Sequence, residues 1–165
     1  MIKLFLILAF TLLNSIYAQE RTSFEEEILS KHNEFRKLHK VVDLKWSNKL
    51  QTYAQEWANK LAKENKMYHR SANEYGENIY WSMGRAVLGA DVTQAWYDEI
   101  KDYSYSSPGF SMKTGHFTQV VWATSTELGC GKAVAKNGGV YVVCNYNPPG
   151  NYQGEFKSNV LPINP

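Results

Sequence analysis

A pair of cysteines placed symmetrically about a turn constrains the fold of this 165-residue chain more than any other feature. An Asn-Gly-Gly turn at 137–139 separates two β-rich runs, 128–135 and 140–146, which is the pattern of a β-hairpin. Cys130 and Cys144 are equally far from the first residue of the turn, so a hairpin centred there sets them opposite each other. Directly opposed Cα atoms lie about 4.5–5.5 Å apart, within reach of a disulfide. A register slip of one residue would instead favour two reduced cysteines in the core.

The first residues carry the pattern of a secretory signal. Lys3 precedes an apolar run at 4–13, and a short polar stretch leads to a small residue, Ala18. The apolar run is much shorter than the roughly 20 residues that a bilayer-spanning helix needs, which disfavours the alternative, a signal anchor. The sequence therefore predicts a signal peptide at 1–18 and a single secreted domain at 19–165. Secretion implies an oxidising compartment, which favours the disulfide over free thiols.

Composition and charge narrow the class of protein. Hydrophobic residues make up 44% of the chain and aromatic residues 14%, which excludes disorder and coiled coil and indicates one large core. Lysine and arginine total 18 against 16 acidic residues, and the basic side chains are scattered along the chain. Nucleic-acid-binding proteins usually concentrate a larger positive charge, so no nucleic-acid partner is expected.

Apolar residues at helical spacing predict four helices ahead of the hairpin. These helices begin at a capping box from Ser23 to Glu26, at Ser47, at Asp91 and near Thr114. The predicted inward-facing residues are Phe24, Ile28, Leu29, Phe35 and Leu38 in the first helix; Leu50, Tyr53, Ala54, Trp57, Leu61 and Ala62 in the second; Val92, Ala95, Trp96, Ile100 and Tyr103 in the third; and Phe117, Val120 and Val121 in the fourth.

The remaining segments complete an α+β plan. A strand is predicted at 75–81, between the second and third helices. The polar segments 67–73 and 104–113 contain glycine or serine and lie near histidines, so we expect two loops that border a surface cleft. Helices followed by an antiparallel hairpin indicate an α+β fold rather than a βαβ fold.

The four histidines are the main candidates for chemistry. The chain has no Gly-x-Ser-x-Gly, His-Glu-x-x-His, Cys-x-x-Cys or Walker motif. His39 stands at the polar end of the first helix, where exposure to solvent is expected. His32 and Arg36 share a helix face, which predicts a buried polar contact. His69 follows Tyr68 in a loop, and His116 opens the short helix, where the dipole keeps an imidazole neutral and able to bind a metal.

Four short segments carry a resemblance to a known family. Residues 115–122 (GHFTQVVW) and 144–152 (CNYNPPGNY) resemble the two long signatures of the CAP superfamily of cysteine-rich secretory, antigen 5 and pathogenesis-related proteins. His32-Asn33-x-x-Arg36 and Gly-Glu-Asn-Ile at 76–79 are similar to its two shorter motifs. All four occur in the family's order across nearly the whole predicted domain. The end of the chain resembles the compact, Golgi-associated type of the family, which is lipid-anchored at an N-terminal glycine, whereas Ile2 stands at that position here.

This resemblance implies a fold and a site. The fold is a three-layer α-β-α sandwich with a central antiparallel sheet. The site is a cleft that contains His69, Glu77, Glu99 and His116, with Asp98 as the neighbouring alternative to Glu99. His69 and His116 can bind Zn²⁺ weakly and exchangeably, while Glu77 and Glu99 orient the imidazoles. The alternative is a buried polar network that only fixes the shape of the cleft.

The function implied by the resemblance is that of a secreted, non-enzymatic binding or signalling module. Its expected partners are a sterol or another lipid, with a membrane surface or a receptor as further candidates, and no cofactor is required. Two alternatives stay open. One is a metal-assisted, protease-like hydrolase that uses the same four residues, with Glu77 and Glu99 as catalytic groups. The other is a stable extracellular domain whose loops alone determine its role.

Overall fold

The computed structural model describes residues 23–84 and 86–163 of the chain, so the predicted signal peptide at 1–18 lies outside the described residues. The domain boundary at residue 19 therefore stays a prediction. No helix in the described ranges is long and apolar enough to cross a membrane. The elements in these ranges are α1 (Ser23–Leu38), β1 (Lys45–Trp46), α2 (Asn48–Glu64), β2 (Gly76–Met83), α3 (Gly89–Tyr97), a 3₁₀ segment (Asp98–Asp102), α4 (Gly115–Val120), β3 (Glu127–Val134), β4 (Gly139–Asn147) and α5 (Phe156–Asn159).

The strands form one open sheet in the order β1-β3-β4-β2. Strands β3 and β4 form the predicted hairpin, and their register pairs Cys130 with Cys144. These residues form a disulfide with a Cα–Cα distance of 4.1 Å, which confirms the pairing predicted from the turn. Strand β2 adds to the other side of β4 in antiparallel orientation. The two-residue strand β1 pairs in parallel with β3; it is too short to show the alternation by which strands are predicted.

Helices cover both faces of the sheet. Helix α2 packs on one face, where Tyr141 and Val143 of β4 point toward it. Helices α1, α3 and α4 pack on the other face, over Val142, Cys144 and Tyr146. The side chains of β4 thus alternate between two apolar layers, and nearly the whole strand is buried. This arrangement confirms the predicted α-β-α sandwich.

Two glycines allow α2 to lie directly on β3. A Cβ atom added at Gly129 would come within 2.2 Å of the backbone nitrogen of Gln51, and one added at Gly131 within 2.3 Å of the Cα atom of Gln55. Both contacts are with helix backbone, which cannot move aside as a flexible side chain could. The two glycines of the Gly-Cys-Gly run in β3 therefore face α2, while Cys130 between them points into the layer on the other side of the sheet.

Helix α1 buries polar residues as well as the apolar residues whose helical spacing predicted its inward face. Phe24, Ile28 and Phe35 are buried as predicted, but Leu38 is exposed. The inward face of the helix also carries His32 and Arg36, both fully buried. The Arg36 guanidinium donates to the backbone carbonyls of Val42, Val120, Trp122 and Ser125, so it ties the 120–125 segment to the helix. His32 and Arg36 share the buried face, but each binds other partners.

The prediction that His39 is exposed is wrong. His39 is 1% exposed, because the C-terminal segment and α3 both reach it. Its Nδ1–H donates to the carbonyl oxygen of Leu161 at 2.5 Å, and the Tyr97 hydroxyl donates to Nε2 at 2.9 Å. These partners come from distant parts of the sequence. The polar residues next to His39 in the chain therefore wrongly indicated that its side chain is exposed to solvent.

Helix α3 begins at Gly89 rather than at Asp91. The backbone N–H of Gly89 donates to the Glu27 carboxylate of α1, which satisfies one amide of the first turn. A Cβ atom at this position would lie 2.4 Å from the carbonyl oxygen of Phe24, so the helix can start here only because the residue is glycine. Ala95, predicted to face inward, is exposed, and Tyr97 faces inward, with its ring 3.7 Å from that of Phe35.

Candidate functional site

A cleft of about 230 Å³ opens where the two predicted loops approach each other. One loop connects α2 to β2, and the other connects the 3₁₀ segment to α4. Polar groups occupy one part of the cleft and apolar side chains the rest. The residues that line it are His69, Glu77, Asn78, Phe110, Met112, Gly115, His116 and Asn151.

The first histidine of the cleft is paired with a buried carboxylate. His69 lies in the loop after α2, and Glu77 is the second residue of β2. The Nδ1–H of His69 donates to Oε1 of Glu77 at 2.8 Å. The His69 side chain is 65% exposed, whereas the Glu77 side chain is 4% exposed. Among the described residues, Oε2 of Glu77 is buried without a hydrogen-bond partner.

The second histidine is paired with a carboxylate that also binds the start of α4. His116 is the second residue of this helix, and its Nδ1–H donates to Oε1 of Glu99 at 2.7 Å. Oε2 of Glu99 accepts the backbone N–H groups of His116 and Phe117 at 3.0 and 3.1 Å. Asp98 is exposed and accepts a hydrogen bond from Gln94 instead. Glu99 is therefore the acidic partner of His116, although it does not itself line the cleft.

Each imidazole ring of the cleft is held through its Nδ1 atom by a carboxylate. The hydrogen bond to Glu77 raises the pKa of His69 above its ordinary value, while partial burial acts in the opposite direction. In both rings Nδ1 is engaged by a carboxylate, so Nε2 is the atom left for a ligand. No group of three or more His, Cys, Asp or Glu side chains within 23–84 and 86–163 is arranged to hold a metal ion. A cation in this cleft would have two imidazole ligands and would need water for the rest.

The outer wall of the cleft is apolar and comes from the loop before α4. Phe110 is 50% exposed and Met112 84% exposed, and both line the cleft. Tyr105, in the same loop, is 38% exposed, and its ring packs edge-on against Tyr103. The sequence predicts this loop and its position near the histidines, but no pattern in it singles out these side chains.

Two asparagines of the cleft were also missed, although both lie inside the family motifs. Nδ2 of Asn78 donates to the backbone oxygen of His116 and to the Tyr146 hydroxyl, each at 3.1 Å. Nδ2 of Asn151 donates to the backbone oxygen of Gly115 at 2.9 Å. Both side chains hold the first turn of α4 and thereby the backbone that carries His116. Asn78 lies in the Gly-Glu-Asn-Ile motif and Asn151 in the second long signature, so the motifs themselves contained the information needed to predict them.

The other two histidines lie in the core and take no part in the cleft. The Nδ1–H of His32 donates to the carbonyl oxygen of Ile28 at 2.7 Å, and the Tyr146 hydroxyl donates to Nε2 at 2.8 Å. Burial lowers the pKa of His32 to about 3 and also lowers the pKa of His39. Tyr146, whose pKa is raised by burial, joins His32 to Asn78 and so to the backbone of the cleft.

Comparison with known proteins identifies relatives over most of the chain. Protein PRY2 of Saccharomyces cerevisiae is 43% identical over 142 residues, which are 85% of this chain but only 42% of the yeast protein. Golgi-associated plant pathogenesis-related protein 1 of Homo sapiens is 40% identical over 84% of this chain and 93% of the human protein. Secreted protein RBT4 of Candida albicans is 42% identical over 86% of this chain and 39% of its own length.

Structural and profile comparisons agree with these relatives. The structure of BmVAL-1 matches with a TM-score of 0.67 and 24% identity, covering 83% of this chain and 82% of that one, which supports the same fold. The profile of CAP, the cysteine-rich secretory protein family, matches residues 29–146, which include most of α1, the sheet up to the last residue of β4, and both histidines of the cleft. The chain belongs to the CAP family of cysteine-rich secretory proteins.

Proposed function

We propose that this protein is a secreted, non-enzymatic binding module that takes a sterol or another lipid at the apolar wall of its cleft. The observation that supports this proposal is the exposure of Phe110 and Met112, which line the cleft; Tyr105 is exposed on the same loop. Large apolar side chains that border a concave site are typical of ligand-binding or membrane-contacting surfaces. A lipid that covers them would remove apolar surface from water, which is favourable by roughly 25 cal/mol per Å².

The size of the cleft indicates how such a ligand would lie. Its volume of about 230 Å³ is below the range of about 300–1,000 Å³ that is usual for sites enclosing a whole small molecule. A sterol or acyl chain would therefore be enclosed at one end, with the rest lying along the loop. The same geometry suits a lipid that stays partly in a membrane surface, so a membrane is the partner we favour over a soluble receptor.

Secretion is the second part of the proposal. The signal pattern at 1–18 and the Cys130–Cys144 disulfide both suit an oxidising extracellular environment. RBT4 of Candida albicans is named a secreted protein, whereas the human relative is named Golgi-associated. Intact mass measurement of material recovered from the culture medium tests this part. We expect a chain that begins at Gln19 and contains no free thiol; retention of residues 1–18 would contradict it.

A divalent cation such as Zn²⁺ is a second proposed ligand. The supporting observation is that Glu77 and Glu99 each engage Nδ1 of a histidine, which fixes the ring and makes Nε2 the available ligand atom. With two protein ligands the site would bind weakly and exchangeably. The competing interpretation is a hydrolase, in which a bound cation would supply an activated water and Glu77 would accept a proton. Peptide cleavage that is lost in Glu77→Gln would favour the hydrolase and contradict our proposal.

The lipid proposal is tested with radiolabelled cholesterol and, separately, palmitate. We expect the Phe110→Ser, Met112→Ser double variant to lose most binding, because the apolar wall is removed. His69→Ala, His116→Ala should retain it, since apolar contact does not require the imidazoles. Val134→Ser is the matched control: Val134 is exposed but lies at the other end of the sheet from Glu77. Binding that disappears in the histidine variant while the protein stays folded would show that the two sites are one.

The cation proposal is tested by calorimetric titration of Zn²⁺ at about pH 7.5 and about pH 5.5. Ligation requires neutral imidazole, so the Zn²⁺ affinity should fall on acidification, as protons occupy the imidazole nitrogens. The raised pKa of His69 means that this loss begins at a higher pH than for an ordinary histidine. His116→Ala should abolish binding, because a single histidine would remain. Glu77→Gln should weaken binding by less, since an amide oxygen can still accept the His69 Nδ1–H. Unchanged affinity in His116→Ala would contradict the proposed site.

A further inference from the structure

The loop that carries His69 lies along helix α2, and one of its side chains packs on two aromatic rings of that helix. Cζ of Arg70 is 3.6 Å from the centre of the Tyr53 ring and 5.1 Å from that of Trp57. Nη2 of Arg70 donates to the backbone oxygen of Tyr53 at 2.9 Å. The Arg70 side chain is 16% exposed, which is unusual for an arginine on a loop. This packing joins the loop to α2 immediately after His69.

The backbone of Arg70 reaches the cleft as well. Its N–H donates to Oε1 of Glu77 at 3.0 Å, and this oxygen is the one that accepts the Nδ1–H of His69. One carboxylate oxygen thus takes both donors from consecutive residues of one loop. A shift of the loop would lengthen both hydrogen bonds together. On the other side of His69, Nε1–H of Trp57 donates to the backbone oxygen of Tyr68 at 3.1 Å.

We propose that Arg70 is a positioning residue of the cleft, whose stacked side chain holds the loop on α2 so that His69 stays paired with Glu77. His69 is mostly exposed and has few contacts of its own, so its orientation depends on the backbone on either side. The planar guanidinium can stack on Tyr53 and donate to its carbonyl at the same time, which a lysine cannot do. The proposal deepens the cation site described above and rests on it.

The chain offers a matched control. Nζ of Lys60 lies 4.8 Å from the centre of the Trp57 ring and 6.0 Å from that of Tyr68. Lys60 is exposed and belongs to α2 itself. Removing it therefore takes away a cation–π contact from Trp57 while the packing and hydrogen bonds of Arg70 stay in place.

The first experiment measures Zn²⁺ affinity by calorimetry. We expect Arg70→Ala to bind about tenfold more weakly than the wild type, the loss that is usual when the support of a metal ligand is removed. Arg70→Lys should show an intermediate affinity, and Lys60→Ala an affinity unchanged from the wild type. Equal affinity in the wild type and Arg70→Ala would overturn the proposal.

A double-mutant cycle separates positioning from a general structural role. If Arg70 acts by keeping His69 paired with Glu77, Arg70→Ala should cause little further loss of Zn²⁺ affinity in a protein that already carries Glu77→Ala, which retains both histidines. The melting temperature of each variant is recorded alongside. Losses that add in the double variant would show that Arg70 affects the cleft by another route and would overturn the proposal.

A measurement without metal keeps this proposal distinct from the cation site. Nitrogen-15 NMR of the His69 imidazole reports whether the proton resides on Nδ1, as the hydrogen bond to Glu77 requires. We expect the Nδ1–H form in the wild type and in Lys60→Ala, and a mixture of tautomers in Arg70→Ala. If the wild type binds no Zn²⁺, the cation proposal fails. The nitrogen-15 signal of His69 in the metal-free protein then decides the role of Arg70 by itself. An unchanged His69 signal in Arg70→Ala would overturn the proposal. Should Arg70→Ala fail to fold, Arg70→Lys carries the same test.

Discussion

The four histidines form two pairs with opposite surroundings. His32 and His39 are almost completely buried, each between a backbone carbonyl that accepts from Nδ1 and a tyrosine hydroxyl that donates to Nε2. His69 and His116 border the cleft, and each donates from Nδ1 to a carboxylate. The buried pair has only neutral partners, whereas the cleft pair has an anionic partner for each ring.

The partner of Nδ1 therefore determines which protonation state and which ligands are open to each imidazole. A carbonyl in a dry core fixes the ring in one neutral tautomer, and burial then opposes protonation. A carboxylate at the cleft holds each ring through Nδ1 and leaves Nε2 for a ligand, and at His69 it also raises the pKa. The surroundings of the buried pair suit a role in stability, and those of the cleft pair suit the proposed role in binding.

Removing a buried histidine should cost far more stability than removing one from the cleft. His32→Ala removes the acceptor of the Tyr146 hydroxyl proton and one of the donors to the Ile28 carbonyl, and it opens a cavity, so the free energy of unfolding should fall by about 3 kcal/mol. His69→Ala removes a mostly exposed ring and should change it by less than about 0.5 kcal/mol. Urea denaturation at neutral pH measures both. Similar losses in the two variants would contradict the division.

Acid should destabilise the protein through the buried pair. The pKa of His32 is about 3 in the folded protein and near 6.5 in the unfolded chain. Between these values the unfolded chain takes up a proton that the folded protein does not, so stability falls as the pH is lowered from 6.5. The slope for one such histidine is at most about 1.4 kcal/mol per pH unit. The lowered pKa of His39 acts in the same direction.

Denaturation between about pH 6.5 and about pH 5 isolates this effect, because carboxylates titrate mainly at lower pH. We expect a shallower slope in His32→Gln than in the wild type, since glutamine does not titrate. His39→Gln gives a second, independent slope. Slopes equal to that of the wild type in both variants would show that the core histidines do not control the acid response.

The fold could be predicted from the sequence wherever local pattern and turn chemistry agree. The Asn-Gly-Gly turn determined the register of β3 and β4 and hence the Cys130–Cys144 pairing. The prediction failed where distant segments determine burial. His39 has polar neighbours in the chain but is covered by Tyr97 and Leu161, which arrive from other elements. No periodicity in α1 contains that information.

The same distinction holds for the cleft. Motif resemblance identified both histidines and both glutamates, because these positions lie in or beside recognisable signatures. In the structure each glutamate accepts a hydrogen bond from one histidine. Metal binding by the two histidines stays a prediction. The positioning side chain Arg70 was missed because its partner Tyr53 lies one helix earlier in the sequence. Contacts between a loop and a neighbouring helix leave no spacing pattern in a single sequence.

His69 in the cleft should change stability with pH in the opposite direction from the buried histidines, and by less. The hydrogen bond to Glu77 raises the pKa of His69 above 6.5. Its stabilising contribution is therefore fully present below pH 6.5 and is lost as the pH rises through the raised pKa. Because the ring is 65% exposed, solvent screening reduces this contribution to below about 0.5 kcal/mol. Proton NMR titration of the histidine rings resolves it: His69 should titrate above 6.5 in the wild type and nearer 6.5 in Glu77→Gln, while His32 should stay neutral in both. A His69 that titrates at or below 6.5 in the wild type would remove the contrast between the two pairs.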